Sequence, residues 1–195
     1  MAATDEPTRV ASEELVEWVD EDDRVIAIVP RARMRAENLL HRSVAVIVTT
    51  SDGRLVVQRR STDKDLFPGW WDIGAGGVVT AGEDRASAAR RELAEELGVD
   101  GVDDVDANPS FVGVGRHDDD HAREICWIYR TVSDGPFRAI DGEVSEIRVV
   151  DTEEFAALSA EVPFLPGSVA LLLPHVPGFA TVTAVRRRPG TTPTM

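Results

Sequence analysis

Three glutamates, Glu92, Glu95 and Glu96, are the residues of this chain best suited to chemistry, and they lie within the short stretch RELAEELG. Their spacing of i, i+3 and i+4 places all three carboxylates on one face of a helix. Like charges at this spacing destabilise a helix by about 0.2–0.5 kcal/mol per pair, so a bound cation is expected to offset the repulsion. Mg²⁺ fits this role, with Mn²⁺ as a substitute, because it prefers carboxylate oxygens and keeps coordination positions for water and phosphate.

The helix that carries these glutamates is expected to span about residues 83–97 and to end at Gly98. An apolar stripe on an adjoining face is expected to pack on the core and consists of Ala86, Ala89, Leu93 and Leu97. One side of the helix is therefore buried while another presents carboxylates. A charged face that is simply exposed to water is the alternative interpretation, because that is the usual environment of a run of charges.

A segment rich in glycine, residues 72–82, precedes this helix and allows the backbone to approach another group closely. Gly76 or Gly77 is expected to offer a backbone carbonyl oxygen to the metal. Arg91 is expected to orient one of the glutamates through a bidentate contact, which suits the planar guanidinium group. Together these residues predict a metal site at the junction of a loop and a helix.

Composition restricts the partner and the compartment. The 195-residue chain has a formal net charge of −14 and a pI near 4.6, which makes its surface repulsive to the phosphate backbone of DNA or RNA. A small anion held by a metal and a local group of cations is still compatible with this charge. Cys126 is the single cysteine, and no stretch reaches the roughly 18 apolar residues of a membrane span. We expect a cytoplasmic protein without a nucleic-acid or membrane partner.

The length and the 43% apolar fraction predict one domain. Residues 1–14 are polar and acidic and are expected to be a disordered lead-in. Residues 15–175 form the domain, and residues 176–195 are expected to be a C-terminal extension with a loose tail.

Strands and helices alternate along the predicted domain, which is typical of an α/β class. A helix is expected at residues 31–41, and a hairpin at residues 44–50 and 55–60, joined by a turn at Gly53. The other principal strands are expected at residues 15–19, 25–29, 111–115, 124–132 and 147–150.

The segment around the glutamates has a further order: Gly77, five residues, Glu83, seven residues, and then Arg91 to Val99 as RELAEELGV. A chance match to this pattern in a chain of this length is below about one in a million. The pattern resembles the Nudix box, so the chain is identified as a member of the Nudix superfamily. The resemblance implies an α/β/α sandwich around a mixed β-sheet and Mg²⁺-dependent hydrolysis of a diphosphate bond.

Segments outside the box resemble the branch of the superfamily that includes isopentenyl-diphosphate isomerase, over about residues 15–155. Those isomerases use a cysteine just before the box, and this chain has Gly76 there. Of the histidines that bind metal in that branch, His41 is present, whereas Met34 and Val78 occupy other positions. The missing cysteine favours hydrolysis, with an isomerase and a non-catalytic binding domain as alternatives.

The resemblance also suggests residues outside the box. Glu124 resembles the strand acid of the isomerases and is expected to be a metal ligand or a base, with a strand-end carboxylate in water as the alternative. Arg60 and Lys64 resemble the residues of the family that contact phosphate. A solvated loop is the alternative for these two cations.

Aromatic residues are candidates for stacking on a nucleobase, and core packing is the alternative for each of them. Trp71 is our choice for substrate binding from the set Trp70, Trp71, Trp127 and Tyr129. Two histidines, His117 and His121, flank three aspartates in one loop, which is either an ordinary surface loop or a lid over the site.

The predicted reaction is attack of water on one phosphorus of a small nucleoside-diphosphate-type substrate. Glu95 and Glu96 are the first choice as Mg²⁺ ligands, and Glu92 serves as ligand or base. Other carboxylates eligible as the base are Glu124, Glu143 and Glu146. The resemblance further implies a homodimer, since many members of the superfamily pair through their sheets or N-terminal segments.

Overall fold

The computed structural model describes residues 14–99 and 108–180, so residues 181–195 of the predicted C-terminal extension and nearly all of the lead-in lie outside the described residues. The described strands are β1 (Leu15–Val19), β2 (Val25–Pro30), β3 (His41–Thr49), β4 (Leu55–Arg60), β5 (Trp71–Ile73), β6 (Ala75–Val78), β7 (Ser110–Asp118), β8 (Arg123–Val132) and β9 (Val144–Val150). The described helices are α1 (Arg31–Ala36), α2 (Arg85–Leu97), α3 (Thr152–Glu161) and α4 (Pro166–Leu172), followed by a 3-10 turn at Leu173–His175. No helix within these two ranges is both long and apolar enough to cross a membrane.

Strand β3 is the centre of a mixed sheet. It pairs in parallel with β8 and antiparallel with β6, and β8 pairs antiparallel with β7. The hairpin of β1 and β2 joins β3 through the pair formed by Trp18 and His41. A second group of strands is antiparallel, with β4 between β5 and β9.

Helices cover both faces of β3, which explains why its sequence is continuously apolar from Val44 to Val48. Val46 packs with Leu93 of α2 in one apolar cluster. The next residue, Ile47, points the other way and packs with Phe155 of α3 and Leu172 of α4. Each side chain buried in this way contributes about 1.5–3 kcal/mol to the free energy of unfolding. The predicted α/β/α sandwich around a mixed β-sheet is confirmed.

The predicted helix at residues 31–41 is too long, because α1 ends at Ala36. Asn38 has a φ of 46°, a left-handed conformation that turns the chain out of the helix. His41 is instead the first residue of β3, where it lies opposite Glu124 of β8 and is 2% exposed. Pairing in the sheet therefore outweighs the helix propensity of this segment.

The predicted hairpin of residues 44–50 and 55–60 has its turn, but its two strands diverge. β3 and β4 share a single pair, Thr49 with Leu55. Beyond that pair β3 is bonded to β6 and β8, while β4 is bonded to β5 and β9. The neighbours of each strand come from distant parts of the chain. The local turn sequence therefore determines where the chain reverses its direction, but it does not determine which strands pair.

The packed core continues past residue 175. Val176 and Phe179 are 1% and 2% exposed and belong to the same apolar cluster as Phe155. The ring centroids of Phe155 and Phe179 are 5.7 Å apart, in an edge-to-face contact. The start of the predicted C-terminal extension is thus part of the folded domain.

Helix α2 is fixed at both ends by local sequence. At its N-terminus the Asp84 side chain accepts a hydrogen bond from the backbone N–H of Ser87. At its C-terminus Gly98 has a φ of 70°, and its N–H bonds to the carbonyl of Ala94. These caps agree with the predicted end of the helix at Gly98 and set the start at Arg85, two residues after Glu83.

We expect Gly98→Ala to lower the free energy of unfolding by more than the ~1–2 kcal/mol that a left-handed alanine costs. A Cβ at this position would also lie 2.8 Å from the carbonyl oxygen of Arg138. Urea unfolding measures the loss. Gly82→Ala is the matched control, because Gly82 has a φ of 78° but no atom within 4 Å of the added carbon. Equal losses in the two variants would contradict a role for the Arg138 contact.

Candidate active site

Glu92 and Glu96 of α2 lie against the glycine-rich strand β6. They are 7% and 2% exposed. Glu96 accepts hydrogen bonds from the backbone N–H of Gly76 at 2.9 Å and from Gln58 Nε2 at 2.6 Å. A Cβ on Gly77 would clash with the Glu92 carboxylate, so glycine leaves room for that carboxylate in this position. These two glutamates are therefore not part of a solvated helix face.

Arg91 links the acids of the box. Its Nε and Nη2 donate to the two carboxylate oxygens of Glu83 at 3.0 and 2.9 Å, which is a bidentate contact. Its Nη1 donates to Glu92 at 2.7 Å and to Glu95 at 3.2 Å. The side chain of Glu95 is 45% exposed, so this third glutamate faces solvent while the other two are buried. One guanidinium group thus holds three carboxylates in position.

Burial changes the ionisation of this cluster. Burial and the nearby charge of Glu92 raise the pKa of Glu96 to about 8. Burial likewise raises the pKa of Glu92, and the Arg91 guanidinium opposes this effect. The bond with Glu83 raises the pKa of Arg91, which keeps its charge. Two buried, adjacent carboxyls are therefore costly to ionise until a cation neutralises them.

The donor set beside Glu96 fits Mg²⁺. The Gln58 side chain is 1% exposed, and its Oε1 has no hydrogen-bond donor among the described residues. This oxygen belongs to the amide that donates to Glu96, so an unpartnered acceptor accompanies the two buried carboxylates. Within residues 14–99 and 108–180 no three His, Cys, Asp or Glu side chains converge on one point. Mg²⁺ is typically bound by one or two carboxylates, with waters and phosphates completing the octahedron.

A pocket adjoins the buried glutamates and shares Gly76 and Gly77 with them. Its wall is built by β3, β5, β6, β7 and β8 together with the segments around Phe67 and Gly167. The polar side chains on which the chemistry of the pocket depends are Arg35, His41, Arg60, Asp72, His117 and Glu124. The geometry therefore places a charged cavity next to the predicted metal ligands.

Glu124 lies on the floor of this pocket, and the box glutamates lie elsewhere. On β8 it shares a face with Cys126, which packs on the α3 and α4 side of the sheet, whereas Tyr129 points toward α2. His41 of β3 and His117 of β7 are its partners on the two neighbouring strands, so the three side chains form a row. Burial raises the pKa of Glu124. It does not join the carboxylates of α2, and it is not a strand-end carboxylate in water.

The two predicted phosphate contacts occupy different places. Arg60 lines the pocket and donates from Nε and Nη2 to the carbonyl of Leu66 at 3.1 and 3.0 Å. Lys64 is ion-paired with Glu143 and its side chain is 11% exposed. Burial lowers the pKa of Lys64, and the charges of Glu96 and Glu92 oppose that effect, which places this cation near the box glutamates.

Trp71 does not reach the pocket. Its ring is 3% exposed and packs in the core against Phe164, with a centroid separation of 6.2 Å. The predicted stacking residues Trp70, Trp127 and Tyr129 are absent from the described lining as well. Phe67 does line the pocket. The centroid of its ring lies 4.9 Å from that of Trp70 and 5.3 Å from that of His121.

Several site residues had no signal in the sequence. Arg35 is one of five arginines in residues 24–42, and nothing local marks it as different from Arg33. Gln58 stands beside the predicted Arg60, but only its bond to Glu96, 38 residues away, shows its role. Asp72 precedes the glycines of the box, and that adjacency is the one local signal that pointed to the site.

Comparison with known proteins agrees with this arrangement. The NUDIX domain model matches residues 39–171. Uncharacterized Nudix hydrolase PA4841 of Pseudomonas aeruginosa is 39% identical over 165 residues, which cover 84% of this chain and 95% of that protein. Uncharacterized Nudix hydrolase YfcD of Escherichia coli K12 is 39% identical over 167 residues, covering 86% of this chain and 89% of that protein. The crystal structure of DR0079 from Deinococcus radiodurans has a TM-score of 0.65 and 26% identity, covering 81% of this chain and 96% of that one.

The chain belongs to the Nudix family, as the box predicted. It is a Nudix hydrolase, an enzyme of the class that acts on diphosphate bonds. Members of this family generally use divalent metals such as Mg²⁺ and small-molecule substrates, in keeping with the buried carboxylates of α2.

We expect the metal-free protein to lose stability as the pH rises from about 4.5 to about 8, the ordinary and the folded-state pKa of Glu96. In this window the folded chain keeps a proton that the unfolded chain has released, so raising the pH favours unfolding. Glu96→Gln lacks this titration. Urea unfolding in EDTA at several pH values should show the stability of the native protein falling relative to the variant. A constant difference between the two proteins would contradict the assignment.

Proposed function

We propose that this enzyme hydrolyses the diphosphate bond of a small nucleoside-diphosphate-type molecule, with Mg²⁺ held at Glu92 and Glu96. The observation that carries the proposal is the pair of buried carboxylates that touch the same two glycines as a cation-lined pocket. In a substrate of this kind, the diphosphate group needs a metal, and the organic group attached to it needs a pocket. The site offers both, and Gly76 and Gly77 connect them.

Each polar group of the box has a distinct task. Glu96 and Glu92 would hold Mg²⁺, and the unpartnered Oε1 of Gln58 adds a neutral oxygen. When bound there, Mg²⁺ supplies positive charge to the phosphates and makes a water molecule more acidic. Arg91 fixes Glu92 and Glu95 through hydrogen bonds, so the carboxylates keep their positions when the substrate arrives.

Cations near the box complete the diphosphate site. Arg60 in the pocket and Lys64 near Glu96 and Glu92 supply the positive charge that a chain of net charge −14 needs at this point. Lys64 is paired with Glu143. An arriving phosphate would compete with that carboxylate for the lysine.

The general base is best sought on α2. Among the other carboxylates considered, Glu143 and Glu146 lie outside α2 and are paired with Lys64 and Arg148. Glu124 lies on the pocket floor, on the sheet face opposite α2. Glu92 and the solvent-facing Glu95 lie on the same helix as the metal ligand Glu96, so we take them as the candidate acceptors of a proton from water.

An isomerase mechanism that needs a cysteine before the box is disfavoured by the backbone itself. A Cβ on Gly76 would lie 2.6 Å from the carbonyl oxygen of Val44 and 3.2 Å from Cα of Ala45. Real Cβ atoms do not approach backbone atoms this closely, so β6 and β3 would have to separate to admit any side chain. Gly76 is thus a packing requirement of this sheet.

We expect Mg²⁺-dependent cleavage when the protein is given nucleoside diphosphates, nucleoside-diphosphate sugars, dinucleotides, coenzyme A and isopentenyl diphosphate. Glu96→Gln should lower kcat/KM by about a thousandfold, because it removes a charge that holds the metal. EDTA should abolish turnover of the native protein. The assay is chromatographic separation of phosphorylated products.

Glu161→Gln is the control, since Glu161 is exposed near the end of α3. It should leave turnover unchanged. Isomerised isopentenyl diphosphate would refute the hydrolytic assignment. Cleavage that persists at the native rate in Glu96→Gln would refute the assignment of Glu96 as a metal ligand.

A further inference from the structure

Lys64 is the one lysine among the 21 lysines and arginines of the sequence. Every other side chain of this group is a guanidinium, which carries its charge on a rigid plane. A lysine carries its charge on a compact ammonium group at the end of a flexible stem, so it can change partners without matching a fixed planar geometry. The chain therefore has a single cation of this kind, and its surroundings indicate what it does.

The side chain of Lys64 interacts with carboxylates inside and outside the box. It is 11% exposed and ion-paired with Glu143, the residue that precedes β9. Burial raises the pKa of Glu96 and of Glu92, and the charge of Lys64 opposes that rise in both glutamates. The ammonium group thus neutralises part of the charge of the same two carboxylates to which we assign the metal.

The loop that carries Lys64 is tied to the segment before β9. The N–H of Ser61 donates to the carbonyl oxygen of Glu143 at 2.7 Å, and the N–H of Gly69 donates to the carbonyl oxygen of Ser61 at 3.3 Å. Burial also raises the pKa of Asp141, and the charge of Lys64 opposes this rise. The backbone therefore holds the lysine between two sets of acids, one in the box and one outside it.

A metal ion at Glu92 and Glu96 would have the same sign of charge as Lys64. Repulsion between like charges is only weakly screened when the groups are largely buried. The lysine also stabilises the ionised glutamates while no metal is bound, which reduces what the metal gains by binding. A diphosphate reverses this situation, because its oxygens can accept hydrogen bonds from the ammonium group and bind the metal at the same time.

We propose that Lys64 is the internal counterion of the box carboxylates and keeps their affinity for Mg²⁺ low until a diphosphate binds. The inference rests on the proposed function, because it takes Glu92 and Glu96 as the metal ligands. Glu143 acts through Lys64 as a positioning residue, since its carboxylate draws the ammonium group away from the box. Binding of metal and binding of diphosphate therefore favour each other.

Metal binding without substrate tests this role of Lys64 separately from catalysis. Mg²⁺ is titrated by calorimetry at pH 9, where protons compete little because the pKa of Glu96 is about 8. Lys64→Met, which keeps the length of the side chain and removes its charge, should bind Mg²⁺ about tenfold more tightly than the native protein, since a like charge is lost from a largely buried site. Lys64→Gln serves in its place if the methionine variant does not fold.

Two matched variants separate this local charge from other effects of substitution. Lys64→Arg keeps the charge and should bind Mg²⁺ like the native protein. Arg54→Gln removes one positive charge from an exposed side chain that pairs with Asp52, and it should leave the affinity for Mg²⁺ unchanged. An affinity in Lys64→Met that equals the native value or lies below it would overturn the proposal.

Glu96→Gln distinguishes failure of this proposal from failure of the proposed metal site. If Glu96→Gln abolishes Mg²⁺ binding in both the native and the Lys64→Met backgrounds, the metal site stands, and the comparison of those two backgrounds decides the role of Lys64. Binding that survives Glu96→Gln, or no binding in either background with Glu96 intact, would refute the metal site and this proposal with it.

A double-mutant cycle tests the role of Glu143. Glu143→Gln should weaken Mg²⁺ binding severalfold in the native background, because the ammonium group then interacts more strongly with the box. In the Lys64→Met background the same substitution should have no effect. An equal loss in both backgrounds would show that Glu143 acts on the metal directly and would contradict its action through Lys64.

Inorganic phosphate tests the coupling between metal and anion. It should raise the affinity for Mg²⁺ more in the native protein than in Lys64→Met, because in the native protein it also occupies the ammonium group. The measurement is the same calorimetric titration with and without phosphate. An equal increase in the two proteins would contradict the coupling.

Discussion

The close approach of α2 to strand β6 is the constraint on which the site depends. Gly77 leaves room for the carboxylate of Glu92, and the N–H of Gly76 bonds to Glu96. Gly76 also lies so close to Val44 of β3 that a side chain would force the strands apart. The two glycines therefore allow the glutamate side chains of α2 to contact the backbone of β6, and they place buried carboxylates beside a pocket.

This arrangement is electrostatically costly in a protein that already carries a net charge of −14. Burial raises the pKa of Glu92, Glu96, Asp72 and Glu124, so the acids of the site are held in an environment that disfavours their charge. Arg91 offsets part of this cost among the box acids. The remainder is available to bind cations, which is the physical reason that an acidic chain can bind an anionic substrate.

The two faces of the sheet have different surroundings. One face of β3 and β8 packs on α2 and sets the height of the box helix above β6. The other face carries apolar residues toward α3 and α4 over most of its length, but polar ones at the end where His41 and Glu124 begin their strands. The pocket lies where the apolar layer ends, beside the segment in which β6 pairs with β3.

The sequence by itself determined the family, the sandwich fold, and the extent of α2 to within two residues, because the box is local. Its glycines, helix caps and apolar stripe interact with residues that are near in sequence. The order of residue types in the box is therefore enough to predict the helix. Tertiary structure alone decided that Glu92 and Glu96 are buried while Glu95 is exposed. It also decided that Trp71 is buried in the core, and that Arg35, Asp72 and Glu124, from three distant segments, line the same pocket. Pairing between strands far apart in the chain sets these positions, and no single segment of sequence contains that information.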